Sequence, residues 1–316
     1  MRVKTPSRLH LGFIDPLGKL GRVYGSIGVA LNIPYWLIEV KKDEKLSIDA
    51  NDVEALYKIE KIVKKIEDYL GKKLRVRISI FSSIPFHVGL GAGTQLSLAV
   101  TEAILKVEGV SYAKEDLIKL SGRGKRSGIG ISVYFNGGFV LDVGKRKESD
   151  LLPLSLLRLD FPSNWLFLVV LPDIDLRVHD KLEEMKMELL RDVNSCEISY
   201  LVLMGLLPSL VEGDIELFGK YLSMIQQKVG EVFYDAQGGV FADKVCEDIV
   251  NFMLHKGAYG AGQSSWGPVV YGLVEGGDHA INLMEEVKSF MAFKEIKGLV
   301  WLAEVNPVGR TFLQEG

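Results

Sequence analysis

The sequence feature that most constrains the fold of this chain is a glycine-rich loop followed directly by an apolar helical segment. Both lie in the run IPFHVGLGAGTQLSLAV, Ile84 to Val100. Glycines lack a Cβ and let backbone N–H groups approach a ligand closely, while a helix start adds partial positive charge. The pattern favours a phosphate, although a tight strand-to-helix turn would need the same glycines. We predict a phosphate-binding loop made of Gly89, Leu90, Gly91, Ala92, Gly93, Thr94 and Gln95.

The loop matches neither of two common nucleotide-binding signatures. It lacks the closing Lys-Ser/Thr of a Walker A motif, and it lacks the spacing of the G-x-G-x-x-G fingerprint. The following segment, from about Thr94 to Val107, is nearly all apolar, which predicts a helix buried in the core. Such a helix would hold the loop still.

Composition excludes several classes of function. The chain has 316 residues, of which 47% are hydrophobic, and its formal charge is -3, so it is not a bulk nucleic-acid binder. The apolar runs WLFLVVL and YLVLMGLLPSLV are too short or too broken to cross a bilayer. The charged N-terminus and the two scattered cysteines, Cys196 and Cys246, predict a cytoplasmic protein.

Hydrophobic periodicity predicts the elements of the first half. Alternation in RLHLGFI predicts a half-buried strand with Leu9, Leu11 and Phe13 on one face and His10 on the other. Residues 54–70 carry a helical apolar stripe, with a lysine-rich outer face that we interpret as solvated. LRVRISIF reads as a strand, and ISVYFNGGFVLDVG predicts two strands of a hairpin turning at Asn136-Gly137.

The pattern changes near residue 150. A new strand, WLFLVVLP, follows a polar segment, and Asn194 with Glu197 resembles a capping box. Strands are also expected at 269–273 and in GLVWLAEV, with a helix between them. The other helices are expected at about 179–192, 195–211, 214–229 and 241–255. Strands in hairpins and helices in runs predict an α+β fold of two domains, 1–150 and 151–316.

Three motifs resemble those of the superfamily of galactokinase, homoserine kinase, mevalonate kinase and phosphomevalonate kinase (GHMP). They are P-x-x-x-G-L-G-A-G-T for the phosphate loop, TPSRLHLGFID for the first motif and GAYGAGQSSWGPVVYG for the third. The resemblance covers nearly the whole chain. It implies the two-domain GHMP-type fold, a ferredoxin-like second domain and an active site in the cleft between the domains.

A longer set of motifs is similar to one archaeal family, the β-ribofuranosylaminobenzene 5′-phosphate synthases of methanopterin biosynthesis. Four positions depart from that family's pattern: Phe86 replaces an acid, Ala92 replaces a serine, and Lys125-Arg126 replace a Gly-Thr pair. The motifs are RLHLGFID, GRVYGSIGVAL, IPFHVGLGAGTQLSLAV, GRGKRSGIGISVYFNGGFVLD, LVLMGLLPSLVEGD and GQSSWGPVVYG.

This resemblance implies a reaction and its partners. Phosphoribosyl pyrophosphate would condense with 4-aminobenzoate, or with a 4-hydroxybenzoate-like acid, and release CO2 and pyrophosphate. We expect Mg²⁺, no covalent organic cofactor, small-molecule substrates only, no nucleic-acid or membrane partner, and a homodimer.

Two other functions remain open. An ATP- and Mg²⁺-dependent small-molecule kinase is the first alternative, but Gly130 stands where several of the kinases carry an aspartate. A non-catalytic binding protein is the second, since a fold alone does not fix a function. The polar groups retained in the motifs, including Arg8, His10, His87 and Gln263, count against it.

Arginines and histidines in the motifs are the candidate catalytic groups. Arg8 and Arg22 are expected to clamp phosphate or carboxylate, because a guanidinium matches both anions, whereas Arg123 and Arg126 read equally well as surface charge. A histidine can move a proton or bind an anion near neutral pH, although a lone histidine is often structural. The predicted catalytic residues are His10, His87 and Arg22.

Further residues are predicted to bind the metal and the substrates. Asp15 and Asp142 are candidate Mg²⁺ ligands, or else a turn cap and a strand-end acid. The loop around Trp266 offers hydroxyl and amide contacts and an aromatic face, or else a turn that plugs the core. We expect it to meet the glycine loop from the other half of the chain. The predicted substrate-binding set is Arg8, Ser26, Arg126, Ser127, Gly128, Gln263, Ser264, Ser265 and Trp266.

Overall fold

The computed structural model describes residues 1–149, 151–176, 185–193 and 195–313, and it contains two β-sheets with helices packed on them. The strands are β1 (Arg2–Asp15), β2 (Arg22–Lys42), β3 (Ser47–Asp49), β4 (Val76–Ser82), β5 (Phe139–Asp142), β6 (Lys145–Arg146), β7 (Ser155–Leu159), β8 (Trp165–Pro172), β9 (Gly260–Gln263), β10 (Val270–Glu275), β11 (Gly298–Glu304) and β12 (Thr311–Leu313).

The helices follow the expected α+β arrangement. A π-helical turn, Val202–Leu206, lies between the helices Ser195–Leu201 and Leu207–Glu212. The helices are α1 (Val53–Leu70), α2 (Ala92–Val107), α3 (Lys114–Ser121), α4 (Ile129–Asn136), α5 (Ser195–Leu201), α6 (Leu207–Glu212), α7 (Ile215–Gln237), α8 (Lys244–His255) and α9 (Asp278–Phe293).

The first sheet is built around the long hairpin of β1 and β2. Its order is β12-β1-β2-β4-β3, with β5 and β6 also paired to β2 and β7 paired to β5. The β3–β4 pair is parallel and the other pairs are antiparallel. Both faces of β1 are covered, because α2 packs on it together with α4, α5 and α7. The expectation of a half-buried strand is therefore wrong, since His10 is as buried as its neighbours Leu9 and Leu11.

The second sheet has the order β11-β8-β10-β9 and is antiparallel throughout. One face has a core of its own, in which Leu168 and Val170 on β8 pack with Val270 on β10 against α8 and α9. The other face, with Phe167 and Val169, belongs to the core that contains the first sheet. The strands expected at WLFLVVLP, 269–273 and GLVWLAEV are thus confirmed within a residue or two. β7 and β12 both follow residue 150 and yet pair in the first sheet, so the chain passes between the two sheets more than once.

Helices α1 and α2 form where the sequence predicts them. Asp52 caps the start of α1 by accepting from the Ala55 N–H, and Gly71 ends it in the left-handed conformation. In α2 every residue from Gln95 to Leu105 is buried, as expected for a helix that is apolar on nearly all sides.

The predicted hairpin at Asn136-Gly137 is wrong. Ile129–Asn136 forms α4, which packs on α2, β1 and β2, and Gly137 with a φ of 61° ends that helix instead of turning a hairpin. Tertiary packing has overridden the strand preference of Ile131 and Val133. The β5 half of the prediction is confirmed.

Part of the 179–192 helix and the predicted cap at Asn194 lie outside the described residues. The other helices of this half are observed, and α7 runs on to Gln237, eight residues beyond its predicted end at 229. The helical run Ser195–Glu212 is long and apolar enough to span a membrane by length and composition alone, and half of it is buried inside the molecule. One side of it packs against α7 and β1, and Tyr200, Leu203, Met204 and Val211 are exposed.

A buried ionic cluster ties the last strand to α2. Glu102 accepts hydrogen bonds from Tyr112 (2.8 Å) and Tyr134 (2.5 Å), and from Arg310 Nε (3.0 Å) and Nη2 (3.1 Å). Burial by itself would raise the pKa of Glu102, but Arg310 and the two tyrosines outweigh it and lower that pKa. The cluster helps to fix the helix whose start carries the glycine loop.

We expect Arg310→Met to lower the free energy of unfolding by about 2–3 kcal/mol at pH 7, because it leaves the Glu102 carboxylate buried without its cation. The folded-state pKa lies below the unfolded one, so this stability is present at neutral pH and is lost as the pH falls through the folded pKa. Urea unfolding of both proteins across acidic pH should show the difference shrinking. Arg77→Met is the control, since Arg77 pairs with Asp43 while 63% exposed. A constant difference at all pH values would contradict the assignment.

Candidate active site

The glycine loop and the Gln263–Trp266 loop meet, as predicted. Ser264 Oγ donates to the Gly89 carbonyl (2.6 Å), and the Val269 N–H donates to the Val88 carbonyl (3.1 Å). A Cβ on Gly89, whose φ is 92°, would overlap the Ser264 carbonyl oxygen. Glycine is therefore needed at position 89 for close contact between two backbones, and the two loops form one wall of a cleft.

The start of α2 presents backbone N–H groups to that cleft. Gly91 is the N-cap with a φ of 75°, and no side chain caps the helix. Thr94 and Gln95 are the first residues to donate back, both to the Gly91 carbonyl, so the N–H groups of Ala92 and Gly93 precede the first helical bonds. This geometry suits an anion at the helix start.

Five cationic side chains surround the same cleft. Its empty volume is about 1320 Å³ including its open mouth, and no acidic residue lines it within the described part of the chain. A chain with a net charge of -3 thus concentrates positive charge at one site, which raises the local concentration of polyanions. The cations are Arg8, Lys58, Arg123, Lys125 and Arg126.

Arg8 reaches the cleft beside the glycine loop. Its Nη1 donates to the Gly89 carbonyl (2.7 Å), and its backbone N–H donates to the Leu90 carbonyl (3.0 Å). A Cβ on Gly91 would lie 2.8 Å from Arg8 Cγ, so the missing side chain at 91 makes room for the arginine. The loop and the arginine consequently form a single unit.

The two candidate histidines lie in different environments. His87 lines the cleft with a φ of 58°, and its Nε2 is 2.6 Å from Glu54 Oε1. His10 is only 2% exposed, and burial, with a smaller contribution from Arg8, holds the pKa of His10 well below its usual range. His10 is therefore neutral at pH 7, which suits it to hydrogen bonding rather than to charge.

An aromatic pocket adjoins the cleft. It encloses about 410 Å³ including its opening and shares His10, Phe13, Ser265 and Trp266 with the cleft. Trp266 packs edge-on against Phe233 at 4.9 Å between ring centroids, and Lys186 Nζ lies 5.5 Å from the centre of its ring.

Other predicted residues lie away from the cleft. Arg22 donates from Nε and Nη2 to the carbonyls of Val143 and Gly144, both at 2.9 Å, and it borders a separate cavity near α3 and α4. The structure thus gives Arg22, predicted as catalytic, a role in holding the backbone after β5. Gln95 Nε2 donates to the Gly130 carbonyl (2.7 Å), and Leu90 is buried.

The predicted metal ligands are already occupied by protein donors. Asp142 is buried and accepts from Ser26 Oγ (2.6 Å) and from the N–H groups of Gly128 (2.9 Å) and Gly144 (2.8 Å). Burial raises the pKa of Asp142 in spite of these bonds. Ser127 Oγ lies within 2.8 Å of Ser26 Oγ, and of this group only Ser127 lines the cleft.

Asp15 caps a turn instead of facing the cleft. Its two carboxylate oxygens accept from the N–H groups of Gly18 and Lys19, both at 2.9 Å. The described residues hold no group of three or more His, Cys, Asp or Glu side chains placed for a metal ion. Asp15 and Asp142 therefore do not fit a Mg²⁺ ion held by protein carboxylates.

Gln263 and Ser264 support the second loop from behind. Gln263 Oε1 accepts from the Ala242 N–H (2.8 Å), and Ser264 Oγ accepts from the His10 N–H (2.9 Å). Gln263 borders the aromatic pocket, whereas Ser265 and Trp266 face both cavities.

Sequence reasoning missed Lys58. It lies on the lysine-rich face of α1 that was expected to be solvated, but its side chain is only 19% exposed, 3.2 Å from Glu54 and over the ring of Phe86. Its helical spacing gave no signal that distinguished it from the other lysines of α1. Phe13 was predicted as core and also lines both cavities.

Gly130 lies beside the glycine loop. A Cβ there would meet Thr94 Cγ2 at 2.9 Å. An aspartate at 130 would therefore point toward the loop, and this chain offers no carboxylate from that position.

Comparisons with known proteins agree with this geometry. The family model of the GHMP kinases N terminal domain matches residues 57–137, and that of the GHMP kinases C terminal domain matches residues 206–292. The crystal structure of homoserine kinase from Cytophaga hutchinsonii superimposes with a TM-score of 0.70 at 19% identity, covering 98% of this chain and 96% of that one. Lactococcus lactis galactokinase, complexed with galactose, gives 0.71 at 13% identity, covering 99% and 95%. The fold and its glycine-rich cleft thus define a protein of the GHMP kinase class.

Two curated relatives show to which family within this class the chain belongs. The β-ribofuranosylphenol 5′-phosphate synthase of Methanothermobacter thermautotrophicus is 33% identical over 86% of this chain and 88% of its own length. That of Methanocaldococcus jannaschii is 33% identical over 98% and 99%. The chain belongs to the β-ribofuranosylphenol 5′-phosphate synthase family.

Proposed function

We propose that the protein joins the ribosyl carbon of phosphoribosyl pyrophosphate to the ring of a 4-hydroxybenzoate-like acid, releasing CO2 and pyrophosphate. The sequence motifs by themselves favoured 4-aminobenzoate. The relatives' names specify a phenol, which favours a hydroxyl on the acceptor ring. The product would serve methanopterin-type cofactor synthesis.

The observation that carries this proposal is the charge of the cleft. Phosphoribosyl pyrophosphate bears anionic groups at both ends, and five cations line the cleft with no acid among its described lining residues. The glycine loop and the start of α2 would take the pyrophosphate, where charge grows as it leaves. Arg8 would clamp it beside Gly89 and Gly91.

The reaction balances without an added oxidant or base. The bond from the ribosyl carbon to pyrophosphate breaks, and the leaving group keeps the electron pair. The ring carbon that carries the carboxylate bonds to the ribosyl carbon, and loss of CO2 returns an electron pair to the ring. No proton is gained or lost overall. The chain's task is to stabilise the leaving anion and to hold the two carbons in contact.

Mg²⁺ remains a proposal, as a counter-ion on the phosphates of the substrate and not as an ion held by Asp15 and Asp142. The scheme needs no covalent organic cofactor. A cytoplasmic location and a homodimer also remain predictions.

A labelled-acid assay tests the proposal. The protein is incubated with phosphoribosyl pyrophosphate, Mg²⁺ and carboxyl-labelled 4-hydroxybenzoate, or the matching 4-aminobenzoate, and released CO2 is counted. We expect release that depends on both substrates and is faster with the hydroxyl compound. ATP consumption with a panel of alcohols, and no CO2 release, would instead favour a kinase. Binding without turnover of either kind would favour a binding protein.

A further inference from the structure

The pocket beside the cleft has the character of a site for an aromatic ring. Aromatic side chains form much of its wall, and none of its described lining residues is an acid, a lysine or an arginine. The empty space between these walls is about 410 Å³ with the open mouth of the pocket included. The aromatic members of its wall are Phe13, Phe233, Phe241 and Trp266.

Most of the polar groups of three glutamines in this wall are already used. Gln226 Nε2 donates to the Leu11 carbonyl (2.6 Å), and its Oε1 accepts from the Gln263 N–H (2.8 Å). Gln237 Nε2 donates to the carbonyls of Gly239 (3.1 Å) and Val240 (2.7 Å). The side chain of Gln263 is likewise bonded through both its oxygen and its nitrogen. These amides shape the pocket and have little capacity left for a ligand.

His10 differs from the glutamines. Both of its ring nitrogens are buried without a hydrogen-bond partner among the residues that the structure describes. A buried polar group without a partner costs stability, on the order of 1–3 kcal/mol, which a bound ligand could recover. A neutral imidazole carries one N–H donor and one acceptor nitrogen. His10 lies in the wall that the pocket shares with the cleft, so a ring bound in the pocket would lie against it.

We propose that this pocket binds the ring of the aromatic acid and that His10 accepts a hydrogen bond from the ring hydroxyl. The inference rests on the proposed function and adds a binding site and a specificity-determining residue for the acceptor. The four aromatic side chains hold the ring, and the hydroxyl anchors it. The opposite carbon, which carries the carboxylate, then points toward the cleft where the ribosyl carbon lies.

The uncharged character of the pocket supports this orientation. A carboxylate buried deep among aromatic rings would lose its hydration, and Lys186, which lies over the ring of Trp266, does not line the pocket. A phenol hydroxyl needs only a single acceptor. The basic cleft offers the carboxylate end a favourable potential. Polarity therefore places the hydroxyl inside and the carboxylate at the junction.

Calorimetric binding of 4-hydroxybenzoate and benzoate to the wild type and to His10→Phe tests the assignment without requiring turnover. The wild type should bind 4-hydroxybenzoate about tenfold more tightly than benzoate, since one hydrogen bond is lost. In His10→Phe the two ligands should bind equally. The control is His279→Phe, because His279 also packs against an aromatic ring, that of Tyr259, but lines neither cavity. An undiminished preference in a folded His10→Phe would overturn the role of His10.

A second variant keeps the site testable if His10→Phe fails to fold. Val229 lines the pocket, so Val229→Phe should fill it and raise the KM for the acid about tenfold or more, leaving the KM for phosphoribosyl pyrophosphate unchanged. An unchanged KM for the acid would exclude the pocket.

Titration with inorganic pyrophosphate reports on the glycine loop separately. If pyrophosphate binds and CO2 is released while both pocket variants behave as wild type, only this inference fails. If pyrophosphate does not bind and no CO2 is released, the proposed function fails.

Discussion

Gly91→Val is expected to lower kcat/KM for phosphoribosyl pyrophosphate by about a thousandfold, the scale seen when a transition-state donor is removed. Gly91 has a φ of 75°, and its added side chain would lie 2.8 Å from Arg8 Cγ. The substitution therefore strains the helix start, displaces the arginine and blocks approach to the backbone N–H groups. Steady-state kinetics and pyrophosphate titration measure the loss.

Gly71→Val is the matched control for backbone strain. Gly71 has a φ of 66° at the end of α1, and nothing lies within 4 Å of a Cβ built there. Both variants should lose comparable stability from a left-handed valine, about 1–3 kcal/mol, but only Gly91→Val should lose activity. If a folded Gly91→Val binds pyrophosphate as the wild type does, the loop is only a turn and the phosphates bind elsewhere.

Arg8→Met and Arg22→Met should separate two arginines that look equivalent in the sequence. Arg8→Met should raise the KM for phosphoribosyl pyrophosphate about 10- to 100-fold, because a charge-assisted hydrogen bond to the anion is lost. The dependence of that KM on salt should also weaken, since one cation leaves the cleft. Kinetics at several ionic strengths give both quantities.

Arg22→Met should change stability and not substrate affinity. Its guanidinium donates to two backbone carbonyls after β5 and lies outside the cleft. Its loss removes both of these bonds, although the Gly144 carbonyl keeps the bond that it accepts from the Leu154 N–H. Thermal melts should show the loss, and the KM for the donor should stay within about twofold, the size of a change that removes no direct contact. Equal increases in KM for the two variants would contradict the placement of Arg22.

Sequence by itself determined the features whose physical cause is local. The alternating glycines and the apolar run after them fixed the loop and the buried helix α2. The apolar stripe of 54–70 with Gly71 fixed α1. The motif order also implied that the loops at Gly89 and Ser264 face each other, and their hydrogen bond bears this out.

Tertiary structure decided what depends on residues far apart in the chain. Alternation could place His10 on a strand face, but only the helices packed on both faces of β1 bury it. The cleft brings together cations from separate parts of the chain, namely Arg8, Lys58 and Arg123. Their spacing in the sequence does not predict that they line the same cleft. Packing also decided that Asn136-Gly137 forms the end of a helix, and that the Arg22 guanidinium donates to the Val143 carbonyl instead of lining the cleft. Local pattern sets a residue's conformation, whereas its burial and its electrostatic partners depend on which distant segments pack against it.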